Sequence, residues 1–410
     1  MNTAFSEGVH VTGADTWQAA GFTGKGVKVG IIDLGFSGYT RFLAGANVTT
    51  RSFRRDGLLS TPNNPDDYHG TACAEIVHEM APDAQLFLVA DERRVTSRSE
   101  ALFSDEVDYL ISNGVTVISL SIGQDIGVPH DGTSEYDQII NRAQAQGVFF
   151  AVAAGNSGSG DIGSDVAEGH YGATFTDADG DGYHDFDGSN GVILHIGRDP
   201  VTIELGWDDF TMPHITYGLY LYNNDNVEVA RAITRVSSSG EPAQILRGKF
   251  AHGTYTLRVR NLTPDAPPVH FDLYFGGAQF AQITAAGSLS VPADARGAVT
   301  VGQADWQTDV VDPSSSRGPT ADGRTKPDLV APTCVTSAVY SVTDNDVFCG
   351  TSSAAPHVAG AAALVLQANP TFTADDLLAF FQSHAQHLMG SDADPNTGGA
   401  GRLALGPPPK

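Results

Sequence analysis

The sequence predicts an α/β protein with a doubly wound, mostly parallel sheet, interrupted by an inserted antiparallel β-sandwich. In two separate stretches, short apolar runs rich in β-branched residues alternate with helical segments, which is typical of a parallel sheet covered by helices on both faces. Between these stretches, residues 160–294 show no convincing helix and carry short alternating runs separated by turn residues. That pattern is typical of an antiparallel sandwich.

The individual elements follow from local periodicity. Continuous apolar runs predict buried strands at 27–33, 85–91, 115–121 and 148–154, and the α/β pattern resumes at 298–302. Helical spacing or start signals predict helices at 68–80, 99–113, 135–146 and 352–366. Alternating runs predict sandwich strands at 192–196, 201–205, 215–222, 227–233, 255–259 and 270–275. We therefore expect one domain at 1–159 and 295–405, a second at 160–294, and a flexible tail at 406–410.

The composition limits the classes of partner. The chain has 410 residues and a formal net charge of −25, which argues against nucleic acid and against an anionic membrane surface. The acidity fits a secreted protein, many metal-binding carboxylates or a salty environment. No apolar run approaches the ~18 residues of a membrane helix. Residues 1–8 lack the pattern of a signal peptide, so the chain is either cytoplasmic or a mature form without its leader.

The chain has three cysteines, an odd number, so at least one thiol is free or pairs elsewhere. Cys334 and Cys349 flank a short segment with the length of a hairpin, and a disulfide between them is one interpretation. The alternative is a set of small buried thiols.

Four polar residues stand at predicted strand ends or helix starts. Asp33 ends the first strand and Asn156 follows the strand at 148–154, at the sheet edge where open α/β folds place their sites. His69 and Ser352 stand at helix entrances, and a serine beside free backbone N–H groups suits a nucleophile whose substrate oxygen becomes negative. Each also has a simpler interpretation, such as a turn-forming aspartate, a surface histidine or a serine N-cap.

The order of these residues favours catalysis. Asp, His and Ser in this chain order form one of three known arrangements of the same triad, the one found in subtilisin. The segments VGIID ending at Asp33, HGTA at 69–72, AAGNS at 153–157 and GTSSAAPH at 350–357 resemble the signature segments of subtilisin-like serine proteases, the subtilase family. The resemblance covers roughly residues 10–158 and 298–405. Leu34 departs from it, because the family usually has a small or hydroxyl residue after the aspartate.

The resemblance implies a role for each residue. Ser352 would be the nucleophile, His69 the general base and then acid, and Asp33 the group that orients the imidazole. The Asn156 amide and the Ser352 backbone N–H would bind the oxyanion. Substrate would pair as an antiparallel strand with Ser121, Ile122 and Gly123. Ala153, Ala154 and Gly155 would wall the specificity pocket, and these small apolar walls predict an uncharged, fairly large P1 side chain.

The expected function is a serine endopeptidase of broad specificity that acts through an acyl-enzyme. Two alternatives stay open: an inactive scaffold that binds partners through its β insert, and an esterase or peptide ligase with the same triad. By resemblance, we expect a secreted monomer in a mature form without signal or propeptide. Its expected partners are protein or peptide substrates and a propeptide inhibitor, with no nucleic acid and no membrane.

The insert carries an acidic loop, DADGDGYHD at 177–185. It matches positions 1, 3, 5, 7 and 9 of an EF-hand loop and predicts a structural Ca²⁺ site. The predicted ligands are Asp177, Asp179, Asp181, Tyr183 and Asp185. The twelfth position is Gly188, so Asp187 or a backbone oxygen would have to complete the shell. The alternative is a solvated acidic turn.

Overall fold

The chain folds into two compact units. A computed structural model describes residues 6–61, 65–92, 99–159, 168–197, 199–211, 214–233, 241–263, 265–342 and 347–410. The first unit comprises Met1–Gly123, Asp131–Gly155 and Ser290–Lys410, and the second comprises Gln124–His130 and Asn156–Leu289. The first unit is therefore discontinuous in the chain.

Helices and strands alternate before the long insert. The elements of this N-terminal part of the first unit are α1 (Gly8–Val11), α2 (Ala14–Ala19), β1 (Lys28–Asp33), α3 (Tyr39–Phe42), β2 (Asn47–Ser52), α4 (His69–Met80), β3 (Gln85–Ala90), α5 (Ser99–Ser112), β4 (Val117–Leu120), α6 (Glu135–Gln144) and β5 (Phe149–Ala153). A 3-10 helix, Pro65–Tyr68, leads directly into α4.

The insert contributes only strands among its described residues. They are β6 (Glu168–Thr174), β7 (Val192–Ile196), β8 (Val201–Trp207), β9 (Tyr217–Asn223), β10 (Glu228–Ala232), β11 (Ala243–Gly248), β12 (Gly253–Asn261), β13 (His270–Gly276) and β14 (Ala278–Phe280). The chain then returns to the first unit with β15 (Ala298–Asp305), β16 (Leu329–Thr333), β17 (Val335–Thr336), β18 (Val347–Phe348), α7 (Thr351–Ala368), α8 (Ala374–His384) and α9 (Pro395–Gly398). Two further 3-10 helices span Tyr340–Val342 and Gly390–Ala393.

The first unit is built on a seven-stranded parallel sheet. Its order is β16-β15-β5-β4-β1-β3-β2, and every neighbouring pair is parallel. Successive side chains of a strand point to opposite faces, so Ile31 packs in an apolar cluster with α4, α7 and α8, whereas Ile32 packs in another with α5 and α6. Helices on both faces of a parallel sheet confirm the predicted α/β class. Across the described part of the chain, no helix has the length and apolar character needed to cross a membrane.

Helices α4 and α7 pack in close contact on one face of this sheet. Helix α7 is almost entirely buried, and a Cβ added at Gly360 would collide with the Met80 side chain of α4. Only glycine therefore permits this separation of the two helices. The contact fixes the relative position of the helices that begin at His69 and Thr351.

The second unit is a β-sandwich. Two antiparallel sheets, β10-β9-β12-β7-β14 and β11-β8-β13-β6, contribute side chains to one apolar core that includes Trp207, Tyr217 and Phe271. This arrangement confirms the predicted antiparallel insert. The short segment Gln124–His130 also belongs here, because Ile126 lies against Gly206 of β8 and the His130 ring stacks near Tyr274.

Cys334 and Cys349 form a disulfide, while Cys73 is a free, buried thiol. The bridge lies beside an antiparallel pair, β17 with β18, so the segment between the cysteines begins and ends as a hairpin. Of the two interpretations that the sequence left open, the structure has the bridged one.

The C-terminal segment is attached to the N-terminal one. The Leu405 amide donates to the Thr12 carbonyl at 2.9 Å, and the Trp17 indole N–H donates to the Gly406 carbonyl at 2.9 Å. Gly406, the first residue of the expected flexible tail at 406–410, is therefore held in place. Its carbonyl supplies the acceptor that the Trp17 indole N–H requires next to the core.

Candidate active site

Asp33 is the last residue of β1, a central strand of the parallel sheet, and its side chain is 0% exposed. One carboxylate oxygen accepts from the Leu34 amide at 2.8 Å. The same carboxylate accepts from Nδ1 of His69, at 2.9 Å and 2.8 Å to its two oxygens. These bonds satisfy a buried charge that would otherwise be costly.

His69 is the first residue of α4, so its ring projects from the helix start, with 22% of the side chain exposed. Because Nδ1–H donates to Asp33, the neutral ring carries its free lone pair on Nε2. Gly70 permits this approach, since a Cβ there would lie 2.5 Å from the Gly35 carbonyl oxygen and 2.7 Å from the Asp33 Cβ. The Phe348 ring contacts the imidazole edge-on, with centroids 5.5 Å apart.

The electrostatics of this pair favour the imidazolium. Burial by itself disfavours the charged ring, but the Asp33 carboxylate and, to a lesser extent, the Cys73 side chain together outweigh burial and raise the pKa of His69 well above its ordinary value. The structure therefore brings together an acid and an imidazole, and the acid stabilises the protonated ring.

Ser352 is the second residue of α7. The helix is preceded by Gly350, whose φ of 98° lies in the region that favours glycine. This conformation lets the chain turn sharply into the helix. The Ser352 hydroxyl donates to the Ser121 carbonyl at 3.3 Å, and the Ser121 hydroxyl donates to the Ser352 carbonyl at 3.1 Å. This reciprocal pair attaches the start of α7 to the chain that leaves β4.

Cys73 lies between His69 and Ser352. Its Sγ is 4.0 Å from His69 Nδ1, and the thiol donates to the Ser352 carbonyl at 3.5 Å. Burial raises the pKa of this thiol, which keeps it neutral. Sequence reasoning missed Cys73, although its position four residues after His69 places both on one face of α4.

The predicted substrate-binding residues lie in two neighbouring segments. The segment 121–123 leaves β4, and 153–155 ends β5 and continues beyond it; β4 and β5 pair in parallel, so both segments lie at the carboxyl edge of the sheet. The Gly155 amide donates to the Thr351 hydroxyl at 3.2 Å, which brings the second segment to the start of α7. Asn156 follows directly and is partly buried.

Ser290 is a neighbour of both segments that sequence reasoning missed. A Cβ added at Gly123 would lie 2.8 Å from Ser290 Cβ, and one added at Gly155 would lie 2.5 Å from Ser290 Oγ. The Ser290 amide donates to the Ala154 carbonyl at 3.0 Å. Ser290 is far in sequence from both segments, so no local sequence pattern indicated that it contacts them.

The acidic loop of the sandwich gathers three of its five predicted ligands. Carboxylate oxygens of Asp177, Asp179 and Asp181 lie within 4.8 Å of one another. The Asp177 carboxylate accepts from the amides of residues 180–182, which shapes the turn. The Asn190 side-chain amide contacts Asp179 at 3.2 Å and Asp181 at 2.5 Å, and it lowers the pKa of Asp179.

The other two predicted ligands are placed differently. Asp185 is outside the group of three, because its carboxylate accepts from the Ala178 amide at 2.6 Å on the other side of the turn. The Tyr183 hydroxyl lies 3.3 Å from that of Tyr222 on β9, so only its backbone oxygen is left as a candidate ligand.

The sequence profile of the subtilase family matches residues 24–192 and 275–401, which is most of the chain. The chain is 29% identical over 165 residues to subtilisin DY of Bacillus licheniformis, covering 37% of this chain and 55% of the relative. It is 28% identical over 168 residues to alkaline elastase YaB of Bacillus sp. (strain YaB), covering 38% and 41%. The matches thus span about half the length of these relatives.

A solved structure has the same fold over nearly its whole length. The CspB protease of Clostridium perfringens superimposes with a TM-score of 0.68 and 18% identity, covering 97% of each chain. At this identity the likeness concerns the fold, whereas the profile match over most of the chain concerns the family. The chain belongs to the subtilase family.

Proposed function

We propose that this protein is a serine endopeptidase that hydrolyses peptide bonds through an acyl-enzyme. The observation that carries the proposal is the hydrogen bond from His69 Nδ1 to the Asp33 carboxylate, at 2.8 Å, in a subtilase whose Ser352 stands at the start of α7. Asp33, His69 and Ser352 would form the triad.

The contacts support a role for each group. With Nδ1–H donated to Asp33, Nε2 is the atom that takes the proton of Ser352 as its Oγ attacks the peptide carbonyl. Asp33 stabilises the resulting imidazolium, which then protonates the leaving amine. A water molecule repeats these steps on the acyl-enzyme. The Ser352 hydroxyl donates to Ser121 here, and catalytic hydrogen bonds often shorten only when substrate binds.

The proposed oxyanion site consists of the Ser352 backbone N–H and the Asn156 side-chain amide. The first turn of α7 supports this choice, because amide groups at a helix start point outward and carry partial positive charge. Asn156 belongs to the AAGNS segment that resembles the family pattern. Both donors would strengthen as negative charge develops on the substrate oxygen.

An uncharged P1 side chain fits the proposed pocket walls. The segments 121–123 and 153–155 and their neighbour Ser290 carry no ionisable side chain. A charged P1 group would lose hydration there without gaining a partner. Substrate would pair as an antiparallel strand with Ser121, Ile122 and Gly123, while Ala153, Ala154 and Gly155 would line the pocket.

The acidic loop is proposed to bind a structural Ca²⁺. Three carboxylates whose oxygens lie within 4.8 Å repel one another, and a divalent cation removes that repulsion. Rotating the Asn190 amide by 180° would turn its oxygen toward Asp179 and Asp181, adding a fourth ligand. The proposed set also includes the Tyr183 carbonyl and, through a bridging water as at position 9 of EF-hand loops, Asp185.

The setting proposed for the enzyme is extracellular. The Cys334–Cys349 disulfide supports this, because such bridges persist in oxidising compartments. We propose that it acts there as a monomer on protein or peptide substrates and that a propeptide inhibits it before maturation.

Replacing Ser352 with alanine should abolish labelling by a fluorophosphonate probe and all peptide hydrolysis, because it removes the hydroxyl that is the proposed nucleophile. Mass spectrometry of the labelled wild type should locate the probe on Ser352. Ser383→Ala, on the exposed surface of α8, is the matched control and should label fully. An unlabelled wild type, or persistent labelling of Ser352→Ala, would contradict the proposed peptidase and favour a binding scaffold.

The acid limb of the pH profile should have its midpoint at a higher pH than an ordinary histidine would give. Because the base must be neutral and Asp33 raises its pKa, kcat/KM of the wild type should increase with pH through a midpoint above 6.5. In Asp33→Asn the midpoint should move to lower pH, and kcat should fall by about 10⁴-fold. His10→Gln removes a surface histidine and should leave the midpoint unchanged. A midpoint that does not respond to Asp33→Asn would rule out His69 as the titrating base.

Asn156→Asp keeps the shape of the side chain and removes its N–H donors. We expect kcat to decrease by about 10²–10³-fold with little change in KM, because the donors act mainly on the developing oxyanion. Steady-state kinetics on a peptide anilide measures both constants. Unchanged kcat would exclude Asn156 from the oxyanion site.

Exhaustive chelation should lower the melting temperature of the wild type, and added CaCl₂ should restore it. The variant Asp179→Asn/Asp181→Asn should have the same melting temperature with and without calcium. Asparagine can still accept the amides of Asp181 and Tyr183 that these carboxylates bind, so the turn itself is conserved. Asp225→Asn, in another exposed turn of the sandwich, is the control. An equal calcium response in wild type and double variant would place any calcium elsewhere.

A further inference from the structure

One cationic side chain, Arg54, contacts both the loop that follows Asp33 and the turn that precedes His69. Arg54 comes just after β2, and the neighbouring Phe53 amide donates to the Ala90 carbonyl at the end of β3. Its side chain is only 13% exposed. A guanidinium at that depth requires several acceptors.

The guanidinium has such acceptors on three segments. Nη1 donates to the Leu34 carbonyl at 3.0 Å and to the Asp67 carboxylate at 3.2 Å. Nε and Nη2 donate to the two oxygens of Asp56 at 3.3 Å and 3.1 Å, and Nη2 also donates to the Thr61 hydroxyl. The planar fork is therefore fixed in orientation as well as in position.

Two of these acceptors belong to the catalytic segments. Leu34 directly follows Asp33, and its amide donates to the Asp33 carboxylate at 2.8 Å. Asp67 lies two residues before His69, in the 3-10 helix that leads into α4. The single Nη1 atom thus joins Leu34, whose amide orients Asp33, to the turn that starts the His69 helix.

The Asp67 carboxylate is buried against the loop that follows Asp33. Its side chain is 1% exposed, its backbone carbonyl accepts from the Ser37 amide at 2.7 Å, and the Thr61 amide donates to its carboxylate. A Cβ at Gly35 would lie 2.5 Å from Asp67 Cγ, so the carboxyl lies directly against the loop after Asp33. Removing the cation would leave a buried carboxylate without its charge partner, and that cost can move the turn.

We propose that Arg54 is a positioning residue for the Asp33–His69 pair. The described contacts of its guanidinium are to Leu34, Asp67 and the loop residues Asp56 and Thr61, and not to the imidazole. It acts by fixing the Leu34 carbonyl and the Asp67 carboxylate, and through them the relative position of the end of β1 and the start of α4. Its effect on hydrolysis rests on the proposed peptidase function, whereas its effect on the histidine does not.

The test compares Arg54→Gln with Arg55→Gln. Both changes remove one arginine charge from the same loop, but Arg55 is 64% exposed, and among the described residues its guanidinium lies 3.8 Å from the Glu92 carboxylate. The first readout is the titration of the His69 ring by NMR, which needs no activity. The charged or titratable groups that face the ring are Asp33 and Cys73, and neither is altered.

In Arg54→Gln we expect the His69 midpoint to move to lower pH, because a displaced Asp33 stabilises the imidazolium less. We also expect kcat to fall by about 10²-fold, as for misplacement of a reacting group by about 1 Å, with KM changed much less. Arg54→Lys keeps the charge but not the fork and should show smaller changes in the same direction. Arg55→Gln should match the wild type in all readouts.

A folded Arg54→Gln with the wild-type His69 midpoint and kcat would overturn the proposal. If that variant does not fold, Arg54→Lys decides, and an unchanged midpoint and kcat in it would overturn the proposal equally. If the wild type hydrolyses no peptide, the proposed function fails. The NMR midpoints then still show whether Arg54 positions the pair.

Discussion

The hydrogen bond between Asp33 and His69 is the interaction on which the site depends. It joins the end of a central strand to the start of a helix, and both termini must approach within van der Waals contact. Gly70 makes that approach sterically possible. The bond in turn selects the imidazole tautomer and raises the pKa of the ring, so one contact influences both the geometry and the proton affinity of the imidazole.

The parallel sheet explains why distant residues converge. All its strands run in one direction, so the residues that leave β1, β4 and β5 lie on one edge. Helix α7 packs in the apolar layer on one face of the sheet, and Ser352 is the second residue of this helix. The tight contact between Gly360 and Met80 links α7 to α4, and a change in the packing of the two helices would therefore be felt at both His69 and Ser352.

The sequence predicted features that have a local signal. Apolar runs located β1, β3, β4, β5 and β15 but not β16 or the more polar β2, and Asp33, His69 and Ser352 stood out because each occupies a strand end or a helix start. Contacts made across long separations had no such signal. Cys73 and Ser352 are 279 positions apart, and nothing near Arg54 in the sequence indicates that it reaches both Leu34 and Asp67. Asn190 likewise lies outside the acidic loop whose carboxylates it contacts.

The sandwich interrupts the chain between two neighbouring strands, since β5 pairs with β15 although residues 154–297 separate them. During translation, the part of the chain that contains β1 with Asp33 and α4 with His69 leaves the ribosome long before β15 can join the sheet. At roughly 5–20 residues per second, synthesis of the intervening segment takes many seconds. Ser352 follows later still. The proposed triad therefore cannot assemble in the nascent polypeptide until the whole sandwich has been synthesised, which separates the folding of the early strands in time from any self-cleavage.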